Sequence, residues 1–215
     1  EPVQGSNPRS DIKEFLNKLR DHCTKKGVLL IFDEIMTGFR LSSRGGAGLF
    51  QITPDLVTYG KVLGGGFPIG VVGGKRHIMK TENVFYGGTF SANPLSMYAA
   101  KLILEVIINE TYIKYDQLNT AGQTFRDELN NYFILHDKKM RAIGCGAINR
   151  VIFTDKFIMN RKDRDLYEPT NAQSMFSESL RDHNVFVNGN GLYHFSMSHT
   201  PEVIGKLIDN IKGVC

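Results

Sequence analysis

Residues 28–32 read Val-Leu-Leu-Ile-Phe, an unbroken apolar run that stops at Asp33-Glu34. A run without polar alternation is what a strand needs when helices cover both of its faces, so the segment points to a mainly parallel sheet in an α/β fold. The residues before it agree. Ser10 can cap a helix in which Ile12, Phe15, Leu16, Leu19 and Cys23 recur at helical spacing, and Gly27 is placed to end it. In such sheets chemistry gathers at the carboxyl ends of strands, which is where Asp33 stands.

Asp55 to Gly60 and Ile69 to Gly73 read as two more short strands, with Lys61 and Gly64-Gly65-Gly66 in the turn between them. Gly87-Gly88-Thr89-Phe90-Ser91 forms a loop that leads to Asn93 and Pro94, suited to the cap and first position of a helix through Leu95, Tyr98, Ala99, Leu102, Ile103 and Val106. Near Asn109 the pattern changes, which divides the chain into residues 1–108 and 109–215. The second stretch holds a long helix with Leu118, Phe125, Leu129 and Phe133. Strand-like segments at 147–154, 185–188 and 192–197 follow, and then a closing helix with Thr200 as cap, Pro201 in its first turn and Val203, Ile204, Leu207, Ile208 and Ile211 as its apolar face. With no repeat and no low-complexity linker, the two units are expected to pack closely.

Composition narrows the functional classes. At 215 residues and 41% hydrophobic content the chain can bury a real core. No apolar run nears the roughly 18 residues that cross a bilayer, and Glu1-Pro2-Val3-Gln4-Gly5 has neither a basic region nor an apolar signal core, so a cytoplasmic protein without membrane partners is expected. The net charge of +4 is dispersed among interleaved acids and bases, without the basic stripe that nucleic-acid binding needs. Cys23, Cys145 and Cys215 fit neither a disulfide framework nor a zinc spacing and are expected as reduced thiols. The chain opens on Glu1-Pro2 with no initiator Met, and is expected to be part of a longer sequence.

Two residues invite chemistry. A carboxylate closing a buried strand must find a cationic partner or several donors. For Asp33 that partner could be a protonated pyridine nitrogen, which the carboxylate would hold cationic so that the ring can accept electrons. Taken alone, a cap or a structural ion pair is the commoner role for such a carboxylate. Lys61 is ambiguous in the same way, since a lysine after a strand is usually a solvated charge. Its setting, after an apolar strand and before Val62-Leu63-Gly64-Gly65-Gly66-Phe67-Pro68, lets backbone and a planar ligand approach closely. A desolvated amine there is partly neutral at pH 7, as imine formation with an aldehyde requires.

Three motifs occur in order: Phe32-Asp33-Glu34-Ile35-Met36-Thr37-Gly38-Phe39-Arg40; Pro54-Asp55 through Gly60-Lys61-Val62-Leu63-Gly64-Gly65-Gly66; and Gly88-Thr89-Phe90-Ser91-Ala92-Asn93-Pro94. Together they resemble the class III aminotransferases of pyridoxal-phosphate (PLP) fold type I, and especially the glutamate-1-semialdehyde aminomutase branch. The resemblance implies part of a large PLP-binding domain at 1–108 and a small carboxy-terminal α+β domain at 109–215. It implies pyridoxal 5'-phosphate as cofactor and Lys61 as the Schiff-base lysine that also shuttles the substrate's proton. Asp33 is then the partner of the pyridine nitrogen, and Ile35 the aliphatic residue packed on the ring, although an ordinary core position explains Ile35 equally well. Gly88 and Thr89 match the loop that in this family reaches across a homodimer to bind the cofactor phosphate of the other subunit. The partners implied are a small amino or keto substrate and a second copy of the chain.

The pattern also departs from that branch. Where the aminomutases place an active-site glutamate about eight residues before a His-Thr pair, counting back from His199-Thr200 gives Gly191, with no acid nearby. The amino-terminal phosphate loop and ring-stacking aromatic of the family have no counterpart among these residues. Two rivals therefore stand beside the aminomutase reading: a class III transaminase for another amino or keto substrate, and a non-catalytic fragment or paralogue with a structural or dimerisation role. Nucleotide motifs fail. Gly74-Lys75 has Ile69 where a P-loop needs its first glycine and Arg76 where it needs Ser or Thr, and Gly64-Gly65-Gly66 lacks the third glycine of a dinucleotide fingerprint. His194 and His199 fall on opposite faces of an extended segment, against a shared metal.

Overall fold

Helix α1 (Lys13–Lys26) ends where Gly27 takes the left-handed conformation at φ 64°, its N–H turned back onto the Cys23 and Thr24 carbonyls. The computed structural model describes residues 1–80, 87–109, 114–187 and 189–215. It forms two units, one of Glu1–Pro2 with Asp11–Tyr115, the other of Val3–Ser10 with Asp116–Cys215. Ser10 is not the cap of α1, because the helix starts three residues later with Ile12 at the cap position and no side-chain cap bond. Among the apolar residues expected on its inner face, Leu16 and Cys23 are buried while Phe15 is exposed.

In the first unit, β1 (Ile31–Asp33), β2 (Leu56–Tyr59) and β3 (Val71–Gly74) form one sheet in the order β1-β2-β3. β1 and β2 are parallel with Asp33 opposite Thr58, whereas β3 returns antiparallel. Within these 215 residues the strand around Phe32 is covered on one face, where its apolar run suggests two: Phe32 is buried, but Ile31 is 55% exposed and Val28 56%. The alternation of a half-covered sheet governs here. It puts Asp33 on the open face and turns Phe32 and Glu34 inward.

Between β1 and β2 lies the short helix α2 (Gly45–Phe50), and after β3 the single turn α3 (Arg76–Met79). Helix α4 (Pro94–Ile108) starts as its sequence dictates, with Pro94 in the first turn and the Asn93 side chain accepting from the Leu95 and Ser96 amides at 3.0 and 3.3 Å. It packs on a 3₁₀ turn at Lys61–Gly64, and the Ser96 hydroxyl donates to the Pro68 carbonyl at 2.8 Å.

The second unit packs α5 (Tyr115–Leu135), α7 (Ala172–Asp182) and α8 (Pro201–Val214) with the antiparallel sheet β4-β5-β6, formed by Arg141–Cys145, Ile148–Ile152 and Leu192–His194; α6 (Arg161–Tyr167) precedes α7. Its core gathers Phe125, Leu129, Phe133, Val151, Leu180, Phe195, Ile208 and Ile211. Thr200 caps α8 by accepting from the Val203 amide. Residues 185–187, expected as a strand, are not one; Asn188 lies outside the described residues. The Val185 amide bonds instead to the Leu180 carbonyl at 2.9 Å, closing the end of α7, which leaves it no ladder partner. The strip Val3–Ser10 is held to this unit by Arg150, which donates to the Ser6 carbonyl at 2.5 Å, and by Asn7, which donates to Ile158 O at 3.0 Å. Arg150 is itself paired with buried Glu168 at 2.9 Å.

Candidate active site

Because β1 and β2 run parallel, their carboxyl ends open on the same edge of the sheet, and the residues just past those ends can face one ligand. Asp33 closes β1. Its Oδ1 accepts from the Ile35 amide at 3.0 Å and from the Thr58 hydroxyl at 3.2 Å. Among the described residues Oδ2 receives no donor, so that oxygen is available to a ligand. The carboxylate is exposed, not enclosed as a strand buried on both faces would make it.

Lys61 begins three residues after Thr58. Gly60 is fully extended at φ −170°, and Lys61 then turns the chain at φ 44° into the 3₁₀ turn, whose Leu63 is buried. A lysine in the left-handed region is uncommon, and backbone of this kind concentrates at functional sites. Its side chain is exposed. Ile35 joins the two loops: a β-carbon built on Gly60 would stand 3.5 Å from Ile35 Cγ2, so the isoleucine lies against the backbone just before Lys61. Asp33, Ile35 and Lys61 thus form one edge with an acceptor, an apolar surface and an amine. These groups suit the ring of a flat heterocycle with a cationic nitrogen and an aldehyde.

Gly88 and Thr89 are exposed and lie elsewhere in the first unit, lining a cavity of about 560 Å³ with Ile69, Ser91, Asn93 and Ser96. Neither Lys61 nor Asp33 lines it. The phosphate-loop candidates thus line a cavity whose walls include neither ring candidate. A cavity of about 790 Å³ in the second unit runs between α5 and α8 and includes Ser196 and His199. There the Ser196 amide lies 3.1 Å from His199 Nδ1.

Glu34 is the organising residue that sequence reasoning passes over. It is 1% exposed, and its carboxylate takes the Thr37 hydroxyl together with the Gly46 and Ala47 amides at 2.9 and 2.7 Å, the first free N–H groups of α2. This fixes the loop after Asp33 on the underside of the edge. The signal in sequence is only an acid next to an acid, with a hydroxyl three positions on and its two amide donors more than ten positions away.

The sequence profile of the family described as Aminotransferase class-III matches residues 1–192. The chain belongs to the class III aminotransferases. Among class III relatives, it is 36% identical over 177 residues to glutamate-1-semialdehyde 2,1-aminomutase 2 of Lachnoclostridium phytofermentans, covering 80% of this chain and 41% of that protein. It is likewise 36% identical over 221 residues to the aminomutase 2 of Staphylococcus saprophyticus, covering 97% and 49%. The β-phenylalanine aminotransferase of Variovorax paradoxus superposes with a TM-score of 0.86 at 27% identity, over 99% of this chain and 50% of that one. A glutamate-1-semialdehyde aminomutase of Pseudomonas aeruginosa in complex with PMP shares the fold at TM-score 0.85 and 16% identity, over 100% and 50%. The class III chain described by these 215 residues spans about half the length of the relatives it matches.

Proposed function

We propose that this chain supplies the covalent lysine, the ring-nitrogen partner and the phosphate loop of a PLP-dependent amino-transfer enzyme, as part of a longer polypeptide. The observation that carries the reading is the position of Asp33 at the carboxyl end of β1 and of Lys61 just past that of the adjacent parallel β2, with Ile35 against Gly60 between them. When bound, pyridoxal 5'-phosphate supplies an aldehyde that takes the substrate amine and a ring that accepts the electrons left on the substrate carbon. Asp33 Oδ2 would hold the ring nitrogen protonated, since an opposite charge beside a cationic group favours its charged form. Lys61 Nζ anchors the cofactor, then takes the proton from the substrate Cα and returns it. Ile35 presents an apolar face that excludes water from one side of the ring.

Gly88 and Thr89 serve the phosphate, since a glycine lets the backbone come close and a hydroxyl donates to anionic oxygen. In this reading the chain forms a homodimer in which each loop serves the partner's site, and the cavity that Gly88 and Thr89 line takes in neither Lys61 nor Asp33. Helix α4, which follows that loop, leaves Leu95, Tyr98 and Leu102 exposed along one face, an apolar surface suited to such a contact. No helix among the described residues is long and apolar enough to cross a membrane, and a cytoplasmic location is part of the proposal.

For the substrate, the aminomutase relatives favour a small amino or keto compound of the semialdehyde class. One observation favours a different transaminase substrate. Gly191, at φ 69° where a side chain is strained, stands at the position that the aminomutase pattern gives to its active-site glutamate.

The covalent assignment is tested by reducing the full-length, cofactor-loaded protein with borohydride and mapping its peptides. The phosphopyridoxyl group is expected on Lys61, and Lys61→Ala should lose both the label and the visible absorbance. A label on another lysine, or an unchanged Lys61→Ala spectrum, rejects the assignment. The 215-residue chain expressed alone should not transaminate.

A further inference from the structure

Thr58 touches the last residue of β1 and the one after it. Its carbonyl accepts from the Glu34 amide at 2.9 Å, and its hydroxyl donates to Asp33 Oδ1 at 3.2 Å. The register places it directly opposite Asp33 in a parallel pair, so both side chains stand on the open face of the sheet. The same Oδ1 also takes the Ile35 amide at 3.0 Å. One carboxylate oxygen is thus held twice, from the neighbouring strand and from its own loop, while the other is left to a ligand.

From this geometry we infer that Thr58 is a positioning residue for Asp33, fixing its rotamer so that Oδ2 points at the cofactor's ring nitrogen. The inference rests on the proposed pairing of Asp33 with that nitrogen. A threonine in a strand needs no such role, since β-branched residues suit strands on their own account. What separates the two explanations is the hydroxyl, because valine has the same shape and strand preference but cannot donate.

Without the Thr58 bond, Asp33 keeps only the Ile35 amide on Oδ1, and its side chain is free to swing about that single contact. The oxygen facing the ring then wanders, the hydrogen bond to the ring nitrogen weakens, and that nitrogen loses part of its proton. Loss of one hydrogen bond to a charged group is worth roughly tenfold or more in the step that depends on it. Substrate binding does not use this bond, so the effect belongs in kcat and not in KM.

The test compares Thr58→Val and Thr58→Ser with the parent in the full-length protein loaded with ring-¹⁵N-labelled pyridoxal 5'-phosphate. Thr58→Val is expected to keep the cofactor bound, to move the ring-nitrogen resonance toward that of a neutral pyridine, and to lower kcat about tenfold at unchanged KM. Thr58→Ser, which keeps the donor, should restore the resonance and bring kcat to within about twofold, so a loss caused only by disturbed strand packing would not follow this pattern. A parental resonance and kcat in Thr58→Val overturn the inference. Asp33→Asn and Lys61→Ala are run alongside. If Asp33→Asn shifts the resonance and Lys61→Ala loses the covalent cofactor while Thr58→Val is silent, Thr58 alone is refuted; if Asp33→Asn is silent too, the pairing beneath the inference fails.

Discussion

Arg20 donates to Asp55 across 2.7 Å, tying the middle of α1 to the residue just before β2. Lys75 reaches the other oxygen at 2.6 Å, and the Leu30 amide adds a third bond at 2.7 Å. Burial by itself would raise the Asp55 carboxyl, but the Leu30 amide, Lys75 and Arg20 outweigh it and hold the group far below the usual carboxylate range. A carboxyl with a depressed pKa in the folded state stabilises above its unfolded value of about 4 and loses that contribution as pH falls toward the folded value. Unfolding free energy should therefore drop between about pH 5 and pH 2, and Asp55→Asn should flatten that slope while costing about 2 kcal/mol at neutral pH. Denaturant titrations at several pH values measure both. Equal slopes in the two proteins would remove Asp55 from the account.

Glu34 makes a parallel demand on the loop beneath the candidate site. Replacing one carboxylate oxygen by an amide, as in Glu34→Gln, leaves at least one of the donors Thr37, Gly46 and Ala47 without an acceptor. The expected cost is about 2 kcal/mol, the scale of a lost hydrogen bond to a buried charge. Hydrogen exchange locates it: the Gly46 and Ala47 amides should exchange faster in the variant, because the carboxylate is what protects the start of α2.

These two acids show why the sequence is legible at some places and silent at others. The apolar run before Asp33, the glycines after Lys61, and the caps Asn93 and Thr200 are local signals, and local structure follows them. Helix α2, by contrast, has the sequence Gly-Gly-Ala-Gly-Leu-Phe, poor in helix propensity, and it forms where Glu34 receives its first amides from across the loop. Strand β4, Arg141–Cys145, escapes notice because its ladder to β5, not its own alternation, defines it. The apolar run at Val28 and Ile31 promises cover on both faces, and these 215 residues, about half the length of the relatives, supply it on one. The motif containing Thr89 does not say that its cavity excludes Lys61.

The backbone at Lys61 carries its own prediction. At φ 44° a side chain crowds the following carbonyl, at a cost of roughly 1 kcal/mol that glycine avoids. Lys61→Gly should therefore be about 1 kcal/mol more stable than Lys61→Ala when both are unfolded without cofactor, although neither can anchor it. Urea denaturation decides the matter. An alanine variant as stable as the glycine variant would mean that the turn relaxes and that the lysine is not held under strain.

The shared-site proposal makes a prediction about mixtures. Thr89→Ala should weaken cofactor binding through its phosphate, and Lys61→Ala should abolish covalent attachment; each homodimer is then defective at both sites. If the loop serves the partner's site, a mixed dimer has one site built from the intact Lys61 of the Thr89→Ala chain and the intact Thr89 of the Lys61→Ala chain. Its other site carries both defects. Co-refolding the two variants should thus recover tight cofactor binding at up to one site per mixed dimer, read from visible absorbance at limiting cofactor. If Thr89 instead serves the Lys61 of its own chain, every site in the mixture keeps one defect and no tight site appears. The apolar face of α4 supplies an independent check, since placing an aspartate at Leu102, which is 45% exposed, should prevent both dimerisation and this recovery while leaving the individual chain folded.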